Sequence, residues 1–156
     1  MLSIAVPGYG DLQLEYLVLD YNGTLACDGE LIEGVEDLLR SLAEDLQVHV
    51  VTADTFGKAE SRLKGLPCQL VVLPAEKQDV GKLAYVRRLG PQNTVCIGNG
   101  RNDRLMLKQA VLGIAVVAEE GAATETLLAA DVVCLDVLSA LGLLTHPLRL
   151  TATLRS

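Results

Sequence analysis

Short aliphatic runs of strand length alternate with amphipathic stretches of helix length along nearly the whole chain, and this alternation limits the fold more than any other feature. Runs of Val, Ile and Leu with few polar interruptions belong to strands buried on both faces, so helices must cover a parallel sheet above and below. The spacing predicts strands at Leu14–Asp20, Gln47–Thr52, Gln69–Leu73, Thr94–Gly98, Leu112–Val117 and Val132–Leu135. Helices are expected at about Gly34–Asp45, Thr55–Lys64, Glu76–Leu89, Asp103–Ala110, Ala122–Ala130 and Val137–Leu144. An edge strand near Ser3–Val6, a turn at Pro7–Asp11 and a C-terminal tail over residues 145–156 complete the reading. The expected fold is α/β: three Rossmann-like layers, a mainly parallel central sheet with helices on both faces. At 156 residues it should form a single domain, 1–156.

Aromatic residues make up only 3% of the chain, so the core must be aliphatic. A net charge of -7 and a pI near 4.7 argue against nucleic acid and anionic membrane as partners, because both select a basic surface. Cys27, Cys68, Cys96 and Cys134 have no metal-ligand spacing and read as free thiols of a reducing compartment. With no signal-like N-terminus and no apolar stretch long enough to span a bilayer, a cytoplasmic protein is expected.

The predicted strands end in chemically capable residues, and in open α/β sheets the carboxyl ends of the strands are where ligands bind. Asp20 closes an aliphatic strand ahead of Asn22-Gly23-Thr24, a tight turn whose amides can face an anion. A carboxylate there can attack phosphorus and split one displacement into two; an Asp that only caps a turn is the plainer role. Thr52, with Ala53 beside it, ends the next strand and offers a hydroxyl and a backbone amide to a phosphate oxygen, or else caps the following helix. Lys77 follows Pro74-Ala75-Glu76 and is the expected charge partner of the nucleophile. Lys82 lies five residues on, roughly 7.5 Å along a helix axis, and reads as a surface lysine. Asp103 is a candidate Mg²⁺ ligand beside Gly98-Asn99-Gly100, a turn that lets backbone approach an ion closely. A dinucleotide-binding loop is excluded there, because Asp103 stands where the third glycine belongs.

These motifs, Asp20-x-x-Gly23-Thr24, Thr52, Pro74-Ala75-Glu76-Lys77 and Gly98-Asn99-Gly100-Arg101-Asn102-Asp103, resemble in order and spacing those of the haloacid dehalogenase superfamily of phosphohydrolases. From Pro74 to Asp136 the chain is most similar to the phosphorylation domain of P-type ATPases, sharing also Gly113-Ile114-Ala115-Val116 and Ala129-Ala130-Asp131-Val132-Val133. The resemblance implies Asp20 as nucleophile, Asn22 in the position of the general acid, and a phosphate held by Gly23, Thr52, Ala53, Lys77 and Asn102. It implies Mg²⁺ at Asp20, the Asn22 carbonyl, Asn99 and Asp103.

Two departures from that pattern matter. Family phosphatases carry an aspartate where this chain has Asn22, and an amide cannot shuttle a proton. Asn99 replaces a magnesium-binding aspartate, so metal affinity should fall and Asn99→Asp should restore it. The intervals between motifs leave no room for a cap domain, so the phosphorylated substrate should be large or extended, or a homo-oligomer should cover the open site. Cys27-Asp28-Gly29 suggests a small hairpin flap, with an open question of whether Cys27 is redox-sensitive. The expected activity is a Mg²⁺-dependent phosphohydrolase of limited speed. The alternative is a phosphate-binding regulatory module that has lost turnover.

Overall fold

The computed structural model describes residues 1–156. Six strands, β3 (Tyr16–Leu19), β6 (Gln47–Thr52), β7 (Gln69–Val72), β8 (Thr94–Gly98), β9 (Leu112–Val116) and β10 (Val132–Cys134), form one sheet in the order β10-β9-β8-β3-β6-β7. All five pairings are parallel, and Leu19 of β3 stands between Val50 of β6 and Ile97 of β8. The chain leaves β3 towards β6 and β7, then crosses back to β8. The carboxyl ends of β3 and β8 therefore flank the point where strand order reverses, which is the natural crevice of such a sheet.

Side chains alternate strictly between two cores. Leu17, Leu19, Val48, Val50, Val95, Ile97, Leu112, Ile114 and Val116 face the larger one. It is closed by α1 (Val35–Leu42), α2 (Ala59–Leu63) and α6 (Val137–Thr145), which bury Leu39, Leu63 and Leu141 there. Val18, Val51, Cys96 and Ala115 face the smaller one with Tyr85 and Val86 of α3 (Gln78–Leu89) and Met106 and Leu107 of α4 (Arg104–Gln109). Leu127 of α5 (Thr124–Ala129) packs against its edge. This is the expected three-layer arrangement, and the two cores arise from the period-2 geometry of strands buried on both faces.

Two expectations are corrected. The segment near Ser3–Val6 is not an edge of the main sheet: β1 (Leu2–Val6) and β2 (Gly10–Leu14) form their own antiparallel hairpin, with Leu2 opposite Leu14. Ile4, Val6, Leu12 and Leu14 are buried while the residues between them are exposed, the one-sided pattern of a ribbon laid on a core. Residues 145–156 are not a tail either. Pro147 opens α7 (Pro147–Leu154), which buries Leu150 and whose Thr151 hydroxyl donates to the Ala5 carbonyl at 3.2 Å. No single helix is long and apolar enough to cross a membrane.

Candidate active site

Asp20 follows β3, and its amide donates to the Ile97 carbonyl of β8 at 3.0 Å, which anchors it at the switch point. Thr52 ends β6, and the Gly98–Asp103 turn leaves β8. All of them gather at the carboxyl edge of the sheet around one cation, and that cation is Lys82. Its ammonium donates to Asp20 Oδ1 at 2.7 Å, to Asp103 Oδ1 at 2.7 Å and to Asn102 Oδ1 at 3.2 Å, using all three of its protons. Lys82 is 1% exposed, Asp103 0% and Asp20 6%.

The assignment of the charge partner to Lys77 is thereby corrected. Lys77 is exposed, makes no ion pair and precedes α3 in the left-handed conformation, at φ 53°. The axial offset that seemed to exclude Lys82 is cancelled by its side chain, because Cα–Cβ bonds tilt towards the helix N-terminus and a lysine stem is long. A signal for it was present: Lys82 begins an i, i+3, i+4, i+7 series with Tyr85, Val86 and Leu89, the stripe that packs on the sheet.

Burial pushes the Asp20 carboxyl up, and the neighbouring Asp103 charge pushes it further; Lys82 opposes both, leaving it at about 7. Burial alone would lower Lys82, but Asp20 and Asp103 outweigh it and hold the ammonium above the ordinary lysine range. Two carboxylates sharing one ammonium therefore leave the pocket short of positive charge.

The Gly98–Asp103 turn is closed by Asp103 Oδ2, which accepts from the amides of Asn99 at 3.0 Å and Gly100 at 2.9 Å. Gly98 is required because a Cβ there would overlap the Asp103 carboxylate. Asn102 clamps Lys82 and donates its amide to Gln78 Oε1 at 2.9 Å. Asn99 is held by two protein groups. Its Oδ1 accepts from the Thr24 hydroxyl at 3.2 Å and its Nδ2 donates to the Gly121 carbonyl at 3.0 Å, so both ends of the amide bind protein groups.

Gly23, at φ 80°, leaves the space that Asn99 fills, and its N–H is spent on the Ala26 carbonyl at 2.8 Å. It contributes clearance rather than a donor. Thr52 Oγ1 accepts from the Asp54 amide at 2.9 Å, which leaves its own O–H free to donate. Asn22 Oδ1 is buried without a hydrogen-bond partner. The expected flap is present as β4 (Ala26–Cys27) and β5 (Glu30–Leu31), joined by Asp28 and Gly29, both with positive φ, as a tight hairpin turn demands. Cys27 Sγ lies 3.1 Å from Glu119 Oε2, and that hydrogen bond holds the thiol protonated with a pKa of about 11, which disfavours thiolate chemistry.

No family model matches the chain. An uncharacterized protein of Methanocaldococcus jannaschii is 43% identical over 82 residues, covering 50% of this chain and 88% of that protein. The phosphoserine phosphatase of Archaeoglobus fulgidus is 36% identical over an alignment of 116 residues, covering 58% of this chain and 33% of the enzyme. A phospholipid-transporting ATPase of Saccharomyces cerevisiae is 30% identical over 119 residues, 76% of this chain and 9% of the ATPase. Among solved structures, the 3-deoxy-D-manno-octulosonate 8-phosphate phosphatase of Moraxella catarrhalis superposes with a TM-score of 0.65 over 85% of this chain and 86% of its own, at 17% identity. That likeness establishes the fold.

The chain has the fold of haloacid dehalogenase phosphatases. It spans about one third of the phosphatase and less than one tenth of the ATPase that it matches. As a haloacid dehalogenase fold it carries the flap next to β3 and no inserted cap domain.

Proposed function

We propose that the chain is a phosphohydrolase that works through an aspartyl phosphate on Asp20. The observation that carries this reading is the buried Asp20–Lys82–Asp103 cluster at the switch point, in which Lys82 holds one oxygen of Asp20 and leaves Oδ2 to attack. In the first step Oδ2 forms a bond to phosphorus while the bond to the leaving group breaks, and the leaving group departs with the electron pair. The Thr52 hydroxyl and the Ala53 amide donate to the phosphoryl oxygens, while Lys82, bound to Asp20, offsets their charge through space. In the second step water attacks phosphorus and releases phosphate, restoring the Asp20 carboxylate. Asn22 can orient the leaving group or the water through its unpartnered amide but moves no proton.

The donors fit a hard dication without Asn99. Asp20 Oδ1, the main-chain carbonyl of Asn22, which accepts no hydrogen bond in the protein, and the Asp103 carboxylate offer oxygen only, as Mg²⁺ prefers. Bound there, Mg²⁺ supplies the positive charge that one lysine between two carboxylates cannot. The Moraxella phosphatase of the same fold was observed with a magnesium ion, a phosphate ion and a KDO molecule.

Since no group at position 22 protonates the leaving group, good leaving groups such as acyl phosphates and anhydrides should be favoured. The open edge suits a large or extended phosphorylated substrate, or a homo-oligomer in which a second copy covers the site. The test is magnesium-dependent hydrolysis of acetyl phosphate and of an aryl phosphate by the wild type and Asp20→Asn. Turnover that disappears in Asp20→Asn supports the enzyme, and Asn22→Asp should then raise the rate on the aryl phosphate. No turnover by a folded wild type overturns the reading in favour of a phosphate-binding module, for which the Asn99 amide tied to Thr24 and Gly121 is the specific argument.

A further inference from the structure

Lys77, displaced from the catalytic cluster, lines a groove of about 360 Å³ that also contains Gln78, Asp79, Arg101, Asn102 and Arg104. Three cations face one acid there, in a chain whose net charge is -7. The groove borders the catalytic cluster directly, since Asn102 is one of its walls and accepts from Lys82, which in turn holds Asp20. Two of the cations are partly neutralised: Arg104 pairs with Asp79 at 3.0 Å and with Glu125 at 3.3 Å, and Arg101 with Glu125 at 3.0 Å. Lys77 has no acidic partner and is held with a positive φ, a conformation that costs a lysine free energy and that surroundings must impose.

The other opening beside the site has the opposite character. A cleft of about 530 Å³ between the flap and the segments following β9 and β10 is lined by Gly23 and Cys27 and carries Glu119, Glu120 and Asp136 without a single cation. An anionic group is repelled on that side and attracted on the Lys77 side, so the local field selects one direction for a charged leaving group.

We infer that the Lys77–Arg101–Arg104 groove binds a second anionic group, phosphate or carboxylate, carried by the leaving group of the substrate. This inference rests on the phosphohydrolase reading for its orientation, with the scissile phosphoryl at Asp20 and the second anion at Lys77 and Arg101. The structure thus separates two lysines five residues apart in sequence: Lys82 acts at the reacting phosphoryl, and Lys77 on the group that leaves.

The experiment compares pyrophosphate and phosphoglycolate, which carry a second phosphate or a carboxylate, with an aryl phosphate that carries neither. Lys77→Asn removes the charge while tolerating the positive φ, Arg101→Ala removes the second cation, and Lys77→Arg preserves the charge. The expected result is a KM for the doubly anionic substrates raised on the order of tenfold by each of the first two substitutions, with kcat for them and kcat/KM for the aryl phosphate unchanged, and recovery in Lys77→Arg. Pyrophosphate alone responding assigns the groove to a phosphate, and phosphoglycolate alone to a carboxylate; either supports the inference. Equal losses on all three substrates, or none, overturn it. Calorimetric binding of pyrophosphate to Asp20→Asn keeps the two readings apart. Binding weakened by Lys77→Asn in that background supports the groove even if no substrate turns over, whereas binding indifferent to Lys77 overturns the groove and leaves the hydrolase reading untouched.

Discussion

Lys82 concentrates the physics of this site into one side chain: a buried ammonium with every proton committed to Asp20, Asp103 and Asn102. Removing it leaves two buried carboxylates uncompensated, so Lys82→Ala should lower kcat by roughly 10²–10³-fold and stability by about 3–5 kcal/mol. Lys77→Ala should leave hydrolysis of an aryl phosphate at the wild-type rate, and steady-state kinetics with urea denaturation of the pair checks both statements. Asn99 is the second decisive residue. Its sequence reading, a weakened metal ligand that Asn99→Asp would repair, sets it against an amide whose nitrogen donates to Gly121 and whose oxygen receives Thr24. A carboxylate cannot donate to a carbonyl, so Asn99→Asp should lower metal-free stability by about 1–3 kcal/mol. Tighter magnesium binding in Asn99→Asp at undiminished stability would show that the clasp is not the role of this residue.

Among the elements, β6 shows how a strand carries a pH dependence into the core. Alternation puts His49 on the face of the smaller core, where Nδ1 lies 2.9 Å from the Tyr85 hydroxyl and Nε2 is buried with no partner. Burial lowers the His49 pKa below its ordinary 6.5. Below pH 6.5 the unfolded chain therefore takes up a proton that the folded chain refuses, so the contribution of His49 to stability must fall as pH drops through that range. Asp20, raised to about 7, contributes the opposite trend in both chains, so urea midpoints at pH 7.5 and 5.5 should show His49→Leu gaining on the wild type at the lower pH. The bounds of β6 are readable because the β-branched Val48, Val50, Val51 and Thr52 surround His49 in a run of strand length. The N-terminal hairpin departs from the expectation for the opposite reason, since the exposed alternation of Ser3, Ala5, Asp11 and Gln13 marks a one-sided ribbon. Helix α7 was overlooked although Pro147 at its first position and the spacing of Leu150 and Leu154 announce it.

Over the whole molecule, the two cores lie on opposite faces of the same six strands, so neither can be lost while the sheet remains. Unfolding should be one cooperative transition. Tyr21 in the larger core and Tyr85 in the smaller report on both in a chain without tryptophan, and tyrosine fluorescence should coincide with far-UV circular dichroism along a urea titration. Separated transitions would mark the hairpin and α7 as an independent unit. The linear pattern of the chain was enough to determine the parallel sheet, the two helical layers, and the placement of Asp20, Thr52 and Asp103 at strand ends, because strand period, aliphatic runs and glycine turns are local properties. Tertiary structure alone decided which lysine serves the site, what the Asn99 amide binds and where the anion-attracting groove lies. Those outcomes depend on side-chain length and direction and on partners such as Lys82 and Asp20, 62 positions apart in the chain, which meet only once the sheet has closed.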